Sequence, residues 1–352
     1  MGNYRNIDSH RIMFLNSTAI KMKKTIALVT GGFTGESVVS FKSADFVESK
    51  IDRNKYDVFK IVVLKDEWYY SDSGSVKHLV DKNDFSITIS GTKIVFDVAF
   101  IMLHGAPGED GKLQGYFDLL NIPYTSCDAL TSALTMNKGY SKAIVNGIKD
   151  LHIAKSVQLF ENSPNASQHL LDTLVLPLFI KPNNGGSSIG MSKVKTAEEL
   201  PDALIKAFNE DNQVLVEEFI QGREFSIGVY NGLEGIRVLP STEVIPSNDF
   251  FDFEAKYTPG ATEEITPGRM SEEEKERVER IVSDIYRKLN CKGMVRIDYF
   301  LQDLSSDFYF VEINTIPGQT AQSFIPQQLR AAGLDITEFY GELIEKALAS
   351  KD

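Results

Sequence analysis

Near the C-terminus Val295-Arg296-Ile297-Asp298-Tyr299 is followed by Phe310-Val311-Glu312-Ile313-Asn314, and then by Thr315-Ile316-Pro317-Gly318. Side chains of a strand change face at every residue, so Arg296 and Asp298 share one face and Glu312 and Asn314 share another. If the two strands pair, two carboxylates, an amide and a guanidinium converge on one spot. Oxygen ligands with no Cys or His beside them suit a hard cation such as Mg2+, which few protein groups hold and substrate phosphates complete. The pattern therefore points to a site for a nucleoside triphosphate rather than to two strands with a wet polar face.

Other segments carry the matching cations and turns. A strand at 178–182 ends in Lys181-Pro182 and runs into Asn183-Asn184-Gly185-Gly186-Ser187-Ser188-Ile189-Gly190. Backbone N–H groups of such a loop can wrap phosphate oxygens with the lysine at its base, although the lysine precedes the glycines and the loop is no Walker A motif. A helical stretch at 129–148 carries Lys138. Farther toward the N-terminus, apolar strands at 25–30, 58–64 and 97–103 alternate with a helix from Glu36. Gly31-Gly32-Phe33-Thr34-Gly35 and His104-Gly105-Ala106-Pro107-Gly108-Glu109-Asp110-Gly111 come directly after the first and last of these strands. That alternation implies a parallel sheet, whose ligands bind at the carboxyl ends of its strands. The segment 213–224 reads as a strand and linker able to present backbone groups to a flat base and Glu224 to a ribose. Pro-Gly pairs at 259–260 and 267–268 bracket a surface loop and lid. Ser271-Glu272-Glu273-Glu274 is a capping box opening a helix with an apolar stripe at Val278, Ile281, Val282, Ile285 and Leu289. A final helix starts near Ile336.

Bulk properties narrow the partners. A length of 352 residues suits two or three domains, and a net charge of −12 argues against nucleic acid, whose phosphates require clustered Lys and Arg. Cys127 and Cys291 form neither a disulfide framework nor a metal cluster, which fits a reducing cytoplasm. No apolar run reaches the roughly 20 residues needed to cross a bilayer, so no membrane is expected. Residues 1–21 lack the periodicity of the chain beyond them and read as a poorly structured extension, with the folded part, and the natural start, expected at Met22.

Taken together these motifs resemble the D-alanine–D-alanine ligases of the ATP-grasp superfamily, from about Lys24 to the final helix. The resemblance rests on Gly31-Gly32 with Glu36, His104-Gly105 with Gly108-Glu109-Asp110-Gly111 and Leu113-Gln114-Gly115, Met136-Asn137-Lys138, and Lys181-Pro182 through Gly186-Ser187-Ser188 to Gly190. It continues with Glu254-Ala255-Lys256-Tyr257, Arg296-Ile297-Asp298, and Glu312-Ile313-Asn314 with Pro317-Gly318. It implies a mixed α/β (α+β) chain with the three-domain ATP-grasp fold: an N-terminal Rossmann-like parallel-sheet domain at 22–126, a central domain at 127–217 and a C-terminal, metal-binding domain at 218–352. It also implies a cytoplasmic homodimer that makes D-alanyl-D-alanine for peptidoglycan. One D-alanine carboxylate attacks the γ-phosphate of ATP, and the amine of a second D-alanine attacks the acylphosphate so formed.

By the same resemblance Asp298, Glu312 and Asn314 bind two Mg2+ or Mn2+ ions, with a monovalent cation as an optional addition. Lys138 and Lys181 neutralise phosphates beneath Ser187 and Ser188. Glu217 takes the adenine amino group, the backbone of Phe219 and Ile220 the ring edge, and Glu224 the ribose. Arg296 and the N–H of Gly318 stabilise the oxyanion, while Glu36 holds the first ammonium beside His104. Ser323 and the N–H of Phe324 bind the second carboxylate, Lys256 contacts the transferred phosphoryl group, and Tyr257 joins Glu36 and Ser187 in locking the lid. The chain departs from the family at Ser37-Val38-Val39, where charged residues are usual, and at Phe324, where a smaller aliphatic is usual and the second pocket would be narrowed. A ligase making D-alanyl-D-lactate or D-alanyl-D-serine is the same-fold alternative, and Tyr257 favours D-alanine over D-lactate. A catalytically silent ATP-binding regulator is opposed by the presence of the metal ligands, both lysines and Arg296.

Overall fold

Three sheets carry the site, and the computed structural model describes them through residues 23–72, 75–186, 189–246 and 262–350. In the first sheet Lys24–Gly31 lies between Tyr56–Val63 and Val98–Ile101, parallel to both. Ile26, Ala27, Leu28 and Val29 are wholly buried, as a strand covered on both faces requires. Trp68–Ser71 and Lys77–Leu79 extend this sheet antiparallel, in a stretch without a clear strand pattern. The first strand leaves through Gly31 at φ +110° and passes so close to Val63 that a Cβ on Gly31 would lie 2.4 Å from its carbonyl oxygen. Helix Ser37–Lys50 begins at that turn with Glu36 at its N-cap.

The second sheet is antiparallel, in the order Ser192–Val194, Leu178–Pro182, Val214–Glu218, Ser156–Leu159. Helices Ala166–Thr173 and Leu200–Phe208 share its apolar core. The third sheet runs Thr262–Ile265, Thr242–Pro246, Gly222–Gly232, Met294–Gln302, Phe308–Asn314, Leu151–His152, with Gly235–Val238 paired to Gly222–Gly232. Against it packs helix Glu272–Lys288, whose Val278, Ile281, Val282 and Ile285 are buried and whose N-terminus shows the full Ser271/Glu274 capping box. Phe324–Ala331 and Ile336–Ala349 close the chain, the first of them a helix that the sequence pattern does not announce. Thr262–Ile265 is a strand paired to Thr242–Pro246 rather than the expected loop, because the pairing satisfies its backbone groups. The first Pro-Gly pair of the expected lid, 259–260, lies within 247–261, outside the described residues, as does the N-terminal extension.

One break in a helix matters for the site. The stretch expected as a single helix is two, Ala129–Met136 and Lys138–Val145, divided at Asn137, whose backbone is extended (φ −85°, ψ 104°). Asn137 accepts the N–H of Tyr140 at 3.0 Å and donates to Gln213 Oε1 at 3.0 Å, an oxygen also reached by Asn183 and Gln158. The N–H of Lys138 donates to the Asn183 carbonyl. This buried amide cluster ties the start of the second helix to the base of the Gly-rich loop, and Lys138 is thereby aimed at that loop instead of along a continuous helix. Asn137→Ala, losing a helix cap and a member of a buried network, should destabilise the fold by about 1–3 kcal/mol, read from the urea unfolding midpoint.

Candidate active site

Strands Met294–Gln302 and Phe308–Asn314 pair antiparallel, with Arg296 opposite Asn314, Ile297 opposite Ile313 and Asp298 opposite Glu312. The next pair is Tyr299 with Phe310, so Val311 is an extra residue, a bulge. Its consequence is decisive. Strict alternation would place Glu312 and Asn314 on the same side as Phe308 and Phe310, which are buried in the core. The bulge reverses the parity, so that Ile313 enters the core and Glu312 and Asn314 join Arg296 and Asp298 on the cavity wall. Asp298 receives Arg296 through Nε at 2.9 Å and Nη2 at 2.8 Å, Asn314 Nδ2 at 3.2 Å, and the Ser226 hydroxyl.

The same cavity, about 400 Å³, is lined across from these strands by Lys138, Lys181, Lys142, Glu217, Ile220 and Glu224. Lys138 reaches Glu312 at 3.3 Å and donates to the carbonyl of Gly185. Glu217 is held by Lys142 at one oxygen, 2.6 Å away, and by Lys181 at the other. Burial works against its charge, but Lys142 and then Lys181 prevail and hold the carboxyl at about 2. Phe219 stands behind this wall: its ring packs on Phe179, its N–H donates to the Pro177 carbonyl, and it lines an adjoining hollow with Ile220 and Glu224.

The first sheet supplies the third wall. The carboxylate of Glu36 lies against two glycines, so that a Cβ would come within 2.5 Å of it at Gly105 and within 2.7 Å at Gly186; the first motif and the Gly-rich loop meet there. His104 is buried, and its Nδ1 lies 2.7 Å from the Ile316 carbonyl. A carbonyl only accepts, so Nδ1 carries the proton and Nε2 accepts from Ser43 Oγ at 3.0 Å. Burial lowers the imidazole to about 4, so it is neutral at pH 7. The Ser43 hydroxyl in turn accepts the N–H of Gln319, whose side chain is held by Tyr340. Glu109 accepts the N–H of Gly105 at 2.9 Å and that of Ile316 at 3.0 Å. Residues of the first sheet thus grip the turn that presents Gly318 from both sides.

Ser323 and Phe324 start helix Phe324–Ala331, whose N-terminal end lines the cavity. The Ser323 hydroxyl accepts from the N–H of Thr320, and the Arg296 guanidinium lies 5.6 Å from the Phe324 ring centre. Ser187, Ser188, Lys256 and Tyr257 lie outside the described residues. Of the remaining expected site residues, all but Phe219 line one cavity. Among the described residues no group of three or more His, Cys, Asp or Glu is arranged to hold a metal ion. Asp298, Glu312 and Asn314 instead form an all-oxygen donor set of two carboxylates and an amide, which fits a hard divalent cation that takes its other ligands from phosphate and water.

Comparison with known proteins agrees with this architecture. The family model for the D-ala D-ala ligase N-terminus matches residues 25–127 and that for the D-ala D-ala ligase C-terminus matches 148–345. The chain belongs to the D-alanine–D-alanine ligase family. It is 45% identical over 333 residues to the D-alanine–D-alanine ligase of Parabacteroides distasonis, covering 94% of this chain and 99% of that protein. To the ligase of Azobacteroides pseudotrichonymphae it is 43% identical, covering 92% and 99%. Among solved structures, the VanG D-Ala:D-Ser ligase of Enterococcus faecalis superposes with a TM-score of 0.83 at 34% identity, covering 93% of this chain and all of that one. The D-alanine–D-alanine ligase of Bacillus anthracis complexed with ATP gives 0.72 at 26% identity, covering 93% and 98%. The mixed α/β sheets of this chain are those of the family's ATP-grasp fold.

Three features of this family member carry no signal of a site role in the sequence alone, or only a faint one. Glu109 sits in the glycine-rich segment after the third strand but reads as a turn acid. Lys142 could be found from its four-residue spacing to Lys138, one helical turn. Ser40 and Ser43 sit on the buried face of helix Ser37–Lys50, where polar residues call for partners: Ser40 accepts the N–H of His104 and Ser43 serves its ring. Burial, and then the neighbouring Glu36 carboxylate, push Glu109 up from 4.5 to about 7. The folded protein therefore binds this proton more tightly than the unfolded chain. The resulting stability is complete below the unfolded value and is lost as pH rises through the folded one, by at most about 3.5 kcal/mol. Replacing Glu109 by Gln should flatten the fall of the thermal midpoint between about pH 5 and pH 7, measured by calorimetry on both proteins.

Proposed function

We propose that the chain joins two molecules of D-alanine into D-alanyl-D-alanine, using ATP and passing through D-alanyl phosphate, to supply peptidoglycan precursors. The observation that carries this reading is the bulged strand pair, which sets Arg296, Asp298, Glu312 and Asn314 on one wall of a cavity whose other walls bear Lys138, Lys181 and Glu217, and Glu36 and His104. Family membership supplies the reaction.

In this reading Glu217 accepts the adenine amino group, Ile220 and the backbone beside Phe219 meet the ring edge, and Glu224 takes the ribose. Lys138 and Lys181 turn to the phosphates, closed over by Ser187 and Ser188. Asp298, Glu312 and Asn314 hold Mg2+ or Mn2+, which neutralises charge on the phosphates. Glu36 binds the ammonium of the first D-alanine, and neutral His104 adds no repulsion. The carboxylate oxygen of that D-alanine bonds to the γ-phosphorus as ADP departs, with Lys256 beside the transferred group. The second D-alanine is held through its carboxylate by Ser323 and the N–H of Phe324, at the positive end of a helix. Its neutral amine attacks the acyl carbon, the C–O bond to phosphate breaks, and the surplus N–H proton leaves with the phosphate. The oxyanion of that adduct is met by the N–H of Gly318 and by Arg296. Asp298 engages Nε and Nη2 of the guanidinium, which leaves the Nη1 donors for it. Tyr257 completes the closure with Glu36 and Ser187. The proposal includes units at 22–126, 127–217 and 218–352, a homodimer and a cytoplasmic location, the first two open to limited proteolysis and sedimentation.

Phosphate release from ATP should depend on D-alanine and yield D-alanyl-D-alanine. Release no faster than with L-alanine removes the ligase reading. D-serine or D-lactate outcompeting D-alanine as second substrate, by product mass, moves it to the same-fold alternatives, of which the VanG similarity makes D-serine the one to test first. Glu312→Ala should keep the fold, by circular dichroism, and lower kcat at least about a hundredfold, the scale of losing one electrostatic contact to the reacting phosphate. Near-normal turnover in that variant would withdraw the metal assignment.

A further inference from the structure

Glu217 is shared by two ammonium groups, and they are not equivalent. Lys181 lies next to last in strand Leu178–Pro182, at the base of the Gly-rich loop, and holds Oε2, with its side chain 11% exposed. Lys142 holds Oε1 at 2.6 Å with its side chain 5% exposed, and it also donates to the carbonyl of Phe310 at 3.2 Å. Lys142 lies one helical turn beyond Lys138, so a single short helix sends one ammonium to Glu312 and the next to Glu217. Two cations on one buried carboxylate leave a local surplus of positive charge, which an incoming polyanion would draw upon. Only Lys181 is placed to answer it. Lys142 is fixed from two sides by a carboxylate and a carbonyl, deeper in the wall. When Lys181 swings to phosphate, Oε1 of Glu217 keeps its lysine and Oε2 becomes an open acceptor on a residue that lines the cavity.

We propose that Lys142 is a positioning residue that sets base specificity: by holding Oε1 it fixes the plane of Glu217, so that Oε2 accepts a hydrogen bond from the 6-amino group of a purine nucleotide and repels a 6-oxo group. The proposal rests on the ATP reading above and adds the residue that enforces the choice of base. Without Lys142 the Glu217 carboxyl would lose its anchor and follow Lys181 or turn within the wall, and the amino group would no longer be told from a hydrogen or an oxygen.

The test is calorimetric binding to the full chain, with Mg2+ and without D-alanine, of three nucleotides: ATP, the 6-unsubstituted purine riboside triphosphate, and inosine triphosphate. The wild-type protein should bind ATP about tenfold or more tightly than the 6-unsubstituted analogue, the scale of a hydrogen bond to a charged group, and inosine triphosphate more weakly still. In Lys142→Met the ratio of ATP to the 6-unsubstituted analogue should fall to about threefold or less, while Lys142→Arg should keep most of the wild-type preference. Should Lys142→Met not fold, Lys142→Gln, which removes the charge and keeps a donor for Phe310, reads the same ratio. Equal weakening of all three nucleotides would make Lys142 a structural lysine and overturn the proposal. No binding of any of the three by the wild-type protein would overturn the nucleotide reading itself, and this proposal with it.

Discussion

A single extra residue in one strand sets the polarity of the whole site. Without the bulge at Val311, hydrogen bonding between Met294–Gln302 and Phe308–Asn314 would carry Glu312 and Asn314 into the layer of Phe308, Phe310 and Tyr299. Burying a carboxylate among aromatic rings carries a desolvation penalty that no neighbour there could offset. With the bulge, the same strand keeps its aromatic residues in the core at one end and its oxygen donors on the cavity wall at the other. Arg296 and Asp298, from the neighbouring strand, complete that wall without any bulge of their own.

The cavity is a place where charges hold one another until a ligand redistributes them. Arg296 is locked to Asp298, Lys138 reaches Glu312, and Lys142 and Lys181 share Glu217. Each pair is largely shielded from water, and an unpaired charge so shielded would be costly. In the proposed function a nucleotide with its metal would offer the same charges new partners of the same signs, so that binding would exchange ion pairs rather than expose them. An acidic chain, with a net charge of −12, thus still gathers Lys138, Lys142, Lys181 and Arg296 on the walls of one cavity, each beside a carboxylate.

Cross-links between sheets turn this wall into an active site. His104 and Glu109 come from the end of the first sheet, yet their partners are the carbonyl and N–H of Ile316, on the turn after the third sheet's strand. Ser43 reaches the next part of that turn at Gln319. Glu36 touches the Gly-rich loop of the second sheet at Gly186. Rotation of the first sheet against the others therefore moves the Gly318 turn or the loop, and the walls of the cavity are mechanically joined.

Much of this was legible in the residues. The parallel strands of the first sheet, the capped helix Glu272–Lys288, the Lys181 strand with its loop, and the placing of Arg296, Asp298, Glu312 and Asn314 on two successive strands all come from alternation, capping and residue type, which are local properties. What tertiary structure alone decided depends on contacts distant in sequence. The break at Asn137 is held by Gln213 and Asn183, and the strand Thr262–Ile265 exists because Thr242–Pro246 pairs with it. Lys142 became part of the site because its helix packs against Glu217, and Glu109 because its loop meets Ile316. Above all, the bulge at Val311 leaves no mark on a strand read by itself. The sequence determined which side chains could bind metal, phosphate and amino acid; the pairing of strands determined that they face one another, because a strand's parity is fixed only by its neighbour.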